Sequence, residues 1–193
     1  LTRRIVQTSL DLLTRNDWAK DLKLSINLSR GILCDNEFLE WLFSEVENRQ
    51  IQPARIVLEI TETMAFHDLG NTLAALLRLR MKGFELSLDD FGTGHTNLEQ
   101  LRDLPITELK LDRCLIKNIA QDSRMQHILD GMIVIARDLG LRIVAEGIDT
   151  ESDLAYLRKN YPYIHLQGFI LSKPVTAGDL PTALEPGTCQ KTA

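Results

Sequence analysis

The sequence predicts an α/β fold, a parallel sheet with crossover helices, on three observations. Short apolar runs of strand type alternate with amphipathic runs of helical period, the alternation passes through six strands, and no linker or low-complexity stretch interrupts it. Periodicity alone leaves a doubly wound sheet and a barrel both open. The 193 residues, 44% apolar and 25% charged, suffice for one domain with its own core. That domain is expected over residues 1–184, and residues 185–193, rich in Gly, Thr and Lys, read as a flexible tail.

Each element has its own signal. Ile5, Val6, Leu10 and Leu13 recur at helical spacing, and Leu24 to Leu28 is strand-like. Asp35 or Asn36 can cap a helix carrying Phe38, Leu39, Leu42, Phe43 and Val46. Ile56 to Ile60 reads as a buried strand, and the stripe Leu69, Leu73, Leu76, Leu77 as a helix ended by Gly83. Phe84 to Leu88 is a strand, followed by a Gly-rich turn and a short helix around Leu98 to Leu101. Leu109 to Leu111 is the next strand; the longest helix presents Met125, Ile128, Leu129, Met132, Ile133, Ala136 and Leu139 and ends at Gly140. Arg142 to Ala145 is a strand, Thr150 to Asp153 a capping box, and Ile164 to Phe169 the last strand.

Composition excludes several classes. A net charge of -5 and a pI near 5.4 argue against a surface that wraps long nucleic acid. Cys34, Cys114 and Cys189 are odd in number and lack a CxxC pair, so neither a disulfide framework nor a zinc site is expected, and a reducing cytoplasm fits best. No apolar run reaches the length of a membrane span, so no membrane contact is expected from this segment; a tether elsewhere in a longer protein stays open. His67, His95, His127 and His165 show no ligand spacing.

The chemistry concentrates at strand ends. Asn27, Glu59, the pair Asp89 and Asp90, Lys110 with Asp112, Glu146 and Gln167 all fall at or near C-terminal strand ends, where parallel α/β folds build their sites. A carboxylate within the apolar run Ile56 to Ile60 costs ~3 to 5 kcal/mol unless a cation or donor compensates it. Divalent ions resolve such crowding of carboxylates, and an all-oxygen set favours Mg²⁺ or Mn²⁺ over zinc. Adjacent aspartates can serve two ions, the arrangement that activates water for attack on phosphorus. Asp112 taken alone reads as a helix cap, Lys110 taken alone as a surface lysine with even odds, and Gly92 and Gly94 as turn glycines.

Read in order, INLS ending at Ser29, LEITE (58–62), LDDFGTG (88–94), LKLDR (109–113), AEGID (145–149) and LQGFILSKP (166–174) resemble the successive motifs of EAL domains, the bacterial cyclic di-GMP phosphodiesterases. The resemblance implies a TIM-like (β/α) barrel, incomplete here with about six of eight strands, and hydrolysis of cyclic di-GMP to linear pGpG in second-messenger signalling. It implies two Mg²⁺ or Mn²⁺ ions: Asn27, Glu59 and Asp89 on one, with Asp89 bridging to a second held by Asp90 and Glu146. Lys110 and Gln167, with Glu146, resemble the catalytic groups that position the attacking water; Glu62 is similar to the residue that holds the loop from Asp90 to Leu98, and Asp112, Gly92 and Gly94 belong to the same substrate and loop region. A homodimer is also implied. The Glu-Ala-Leu segment with its glutamate is absent from the sequence, and His95 to Asn97, Asp149 and the approach NYPYIHLQ depart from the family pattern. These departures motivate an alternative: a catalytically impaired module acting as a cyclic di-GMP receptor or protein-interaction domain. Another metal-dependent barrel hydrolase or lyase ranks far behind both.

Overall fold

A computed structural model describes residues 2–16, 19–67, 69–93 and 98–183 of the chain. The expected tail and Gly94 lie outside them. The chain divides into two compact units, residues 1–89 with 96–107 and residues 90–95 with 108–193.

In the first unit, helix α1 (Thr2–Arg15) lies against strand β1 (Leu24–Asn27) and buries Val6, Leu10 and Leu13. Ile5 was expected on that face but is 53% exposed, because the stripe of residues 6, 10 and 13 advances by four and three and leaves position 5 on its flank. Two helices follow, α2 (Arg30–Leu33) and α3 (Asn36–Asn48). Asp35 is the cap of α3, its side chain accepting from the Phe38 amide at 3.1 Å. Strand β2 (Ile56–Thr61) runs parallel to β1, and helices α4 (Glu62–His67) and α5 (Leu69–Met81) lead to β3 (Glu85–Phe91), parallel to β2. Helix α6 (Leu98–Asp103) closes this unit.

Strand alternation sorts its side chains. Leu58, Ile60, Leu86 and Leu88 take one face, each fully buried and worth roughly 1.5–3 kcal/mol to the core. Glu59, Ser87 and Asp89 occupy the alternate positions. The lone expected apolar stripe of α5 holds at Leu76, while Leu77 is 46% exposed.

The second unit carries strand β4 (Glu108–Leu111), helices α7 (Arg113–Ile116) and α8 (Ser123–Asp138), strand β5 (Arg142–Ala145), helix α9 (Glu151–Asn160), strand β6 (His165–Leu166) and helix α10 (Leu180–Ala183). β4 pairs parallel with β5 and β5 with β6. Thr150 caps α9 and accepts from the Asp153 amide at 3.2 Å, while Asp153, buried, accepts from the Asn118 and Ala120 amides and the Thr150 hydroxyl. The last strand is shorter than the expected Ile164 to Phe169. Beyond Leu166 the chain turns over the 146–149 segment: Gly168 sits so close to Ile148 that a Cβ there would lie 2.1 Å from the Ile148 carbonyl oxygen.

Candidate active site

In the first unit the register does the positioning. Asn27 is paired with Glu59, and Glu59 with Ser87, so the three form one row across β1, β2 and β3. Thr61 is paired with Asp89 two positions further along. Paired residues of parallel strands share a face with their Cβ atoms about 5 Å apart. Glu59 is therefore held from both sides; it is 5% exposed, and its carbonyl accepts from the Leu28 amide at 2.9 Å. Asn27 is exposed at the strand end and Asp89 is half-buried. Glu62 opens α4 and is buried, at 4% exposure. Ser87 is fully buried, and its hydroxyl has no hydrogen-bond partner among the described residues.

In the second unit the positioning is done by side chains and turns. Lys110 is 7% exposed, which removes the reading of a surface lysine, and its Nζ lies 2.8 Å from Glu146 Oε1. Alternation puts Glu108 on the face of Lys110, where it pairs with Arg142 at 3.2 Å. Glu146 follows β5 directly, its amide donating to the Leu111 carbonyl at 3.0 Å. The next residue, Gly147, has φ +66, and a Cβ there would fall 2.5 Å from the Arg113 Cβ. Arg113 itself pairs with Asp149 at 2.6 Å. Gln167 is exposed; its backbone N–H donates to the Ala145 carbonyl at 2.9 Å and its backbone carbonyl accepts from the Ile148 amide at 3.2 Å. Arg113, Glu146, Gly147, Asp149, Gln167 and Phe169 line a cavity of about 950 Å³.

Asp90, next to last in β3, is exposed and has φ +58, a left-handed conformation that Asp tolerates better than most residues. Its carbonyl accepts from the Thr93 hydroxyl at 2.9 Å. Gly92 has φ +105, and a Cβ there would lie 2.6 Å from Leu115. Asp112 is the cap of α7, accepting from the Cys114 amide at 2.7 Å, as its isolated reading suggested. Burial, then the Asp112 carboxylate, push the Cys114 thiol up to about 11.

Four features escaped the sequence reading: Ser87, the Glu108–Arg142 pair, the Lys110–Glu146 pair and the Arg113 brace on Gly147. Charges spaced by two in Glu-Leu-Lys-Leu were the available signal for the second and third. Among the described residues, no three His, Cys, Asp or Glu side chains cluster closely enough to hold a metal ion. The donor chemistry nevertheless suits a hard divalent cation, because Asn27, Glu59, Asp89, Asp90 and Glu146 offer oxygen alone.

Parallel strands in β-α alternation, with carboxylates, an amide and a buried lysine at or near their C-terminal ends, define a (β/α) module built for polar chemistry. The sequence profile of the EAL domain matches residues 1–174, and the chain belongs to the EAL domain family. A cyclic di-GMP phosphodiesterase of Pseudomonas aeruginosa is 36% identical over 164 residues, which are 85% of this chain and 27% of that protein. The chain spans about a quarter of the length of such curated relatives. The EAL domain of Mycobacterium smegmatis DcpA is similar in structure, with a TM-score of 0.86 at 30% identity, over 96% of this chain and 84% of that one. Klebsiella pneumoniae BlrP1, solved as a calcium and cyclic di-GMP complex, has a TM-score of 0.82 at 28% identity, over 91% of this chain and 44% of that one. The fold is thus of the TIM-like barrel class, with six strands among the described residues. Among those residues no helix is long and apolar enough to cross a membrane.

Proposed function

We propose that this chain is the catalytic portion of a cyclic di-GMP phosphodiesterase that produces linear pGpG. The observation that carries the reading is the Lys110–Glu146 pair at 2.8 Å, a buried cation held against a half-buried carboxylate at the ends of neighbouring strands. Family membership and the cyclic di-GMP phosphodiesterases among its relatives support it.

Asn27, Glu59 and Asp89 form one ligand group, and Asp90 with Glu146 a second. When bound there, two Mg²⁺ or Mn²⁺ ions supply charge neutralisation at the phosphate and a lowered pKa for the attacking water. Lys110 donates a hydrogen bond to that water's oxygen, and Glu146 keeps the ammonium aimed and charged. Gln167 offers its exposed amide from the cavity wall to the same oxygen. Attack at phosphorus forms one P–O bond, breaks the bond to a ribose 3′ oxygen, and returns a proton to that oxygen. The product keeps one phosphodiester and gains a 5′ phosphate. Glu62, Asp112 and Gly92 shape the substrate-side loops. The domain extends over residues 1–184, and it works as a cytoplasmic homodimer.

A receptor that binds without cleaving is the second reading, favoured by the absence of a clustered acidic trio among the described residues. One experiment separates the two: the chain is titrated with cyclic di-GMP by calorimetry at saturating Mn²⁺ while product is followed by chromatography. Turnover lost in Glu59→Ala and Asp89→Ala supports the enzyme. Binding with no product, or full activity in either variant, ends that assignment.

A further inference from the structure

The buried Ser87 hydroxyl has no role in the mechanism above. It lies in the row Asn27, Glu59, Ser87, immediately beside Glu59 and two residues before Asp89 on the same face of β3. It is 0% exposed, and its oxygen finds no hydrogen-bond partner among the described residues. A serine hydroxyl carries one donor and two acceptor sites, and burying them unpaired destabilises the fold. Alanine fills the same space without that cost. A strand otherwise built of Leu86 and Leu88 on its opposite face gives no packing reason for the oxygen.

We infer that Ser87 is a positioning residue that donates its hydroxyl proton to the Glu59 carboxylate when a divalent cation is bound. A carboxylate that gives one oxygen to an ion presents the other to its surroundings, and a donor there fixes its orientation and raises affinity. Ser87 is the register neighbour of Glu59 on the β3 side and brings a donor, whereas Asp89 on that strand brings only acceptors when ionised. The hydroxyl is thus kept for the loaded state and is a burden to the empty one. The inference rests on the reading of Glu59 as an ion ligand.

Calorimetric titration of the metal-free chain with Mn²⁺, paired with thermal unfolding in EDTA, tests it on Ser87→Ala and on Ser87→Cys, which nearly keeps the volume but donates weakly. Both variants should bind Mn²⁺ about 10- to 100-fold more weakly, while the melting temperature of the metal-free Ser87→Ala chain stays level or rises. A structural serine would do the reverse, lowering that melting temperature and leaving affinity alone, and this result overturns the inference. Unchanged Mn²⁺ affinity in Ser87→Ala overturns it too while leaving the ligand reading of Glu59 intact. Failure of the unaltered chain to bind Mn²⁺ at all removes the ligand reading and takes the inference with it.

Discussion

Glu59 and Glu146 have the same side chain and the same proposed task, yet the protein holds them by different means. Glu59 sits inside β2, buried, locked on both sides by the register that pairs it with Asn27 and Ser87. Glu146 sits one residue beyond β5, at a turn, and depends on Lys110, on the Arg113 stem over Gly147 and on Gly168 behind Ile148. A strand-borne ligand inherits its position from a hydrogen-bond ladder that few single substitutions disturb. A turn-borne ligand needs dedicated side chains, so its supports are the sensitive points.

The largest effect should follow Lys110→Ala. It removes the donor to the attacking water, for ~10²- to 10⁴-fold in kcat, and takes the Lys110 ammonium away from the half-buried Glu146 carboxylate, for about 1–2 kcal/mol of stability. Lys110→Arg with full activity would argue that charge alone suffices there. Next is Gly147→Ala, where the left-handed backbone and the Arg113 stem both resist a Cβ. A cost of roughly 2 kcal/mol by chemical denaturation is expected, with the Mn²⁺ affinity of the Glu146 group lowered and that of the Glu59 group kept. Equal losses at both groups would erase the distinction between them.

How much of this was visible beforehand follows the same division. The strands β1, β2, β4 and β5 and the caps Asp35 and Thr150 were legible because apolar runs and capping residues act over a few neighbours. Glu59 stood out as a carboxylate flanked by Leu58 and Ile60. The Arg113 brace was not legible, since it joins residues 113, 147 and 149 through a turn whose shape periodicity does not encode. Nor was the left-handed Asp90, because hydrophobic periodicity carries no sign of φ, or the shortened β6, which ends where Gly168 closes on Ile148. Ser87 was overlooked for a different reason: a small polar residue in a strand carries no signal until its burial and its register neighbours are known.

Smaller effects refine the comparison. Arg113→Ala, which removes the brace but only a largely exposed ion pair, should cost about 1 kcal/mol and speed amide exchange across 146–149 while leaving β2 unchanged; uniform exchange would deny the brace. Asn27→Ala, exposed at its strand end, should leave stability within ~0.5 kcal/mol and yet weaken Mn²⁺ binding, as calorimetry would show. Cys114 reports on the same turn region without altering it. Its thiol, pushed up to about 11 by burial and by Asp112, is almost wholly protonated at pH 8, so iodoacetamide should modify it slowly in the folded chain. Labelling should accelerate as the pH approaches 11, or at pH 8 in urea, where the thiol returns to about 8.5; rapid labelling of folded chain at pH 8 would contradict the raised thiol pKa.

The most direct measurement of the central claim is phosphorus NMR of the chain with cyclic di-GMP and Mg²⁺. The cyclic substrate gives one resonance because its two phosphodiesters are equivalent by symmetry. Hydrolysis as described here replaces it with a phosphodiester and a phosphomonoester signal of equal area, and EDTA stops the change. A spectrum that keeps the single resonance, under conditions where calorimetry shows the nucleotide bound and Mg²⁺ present, would contradict the account.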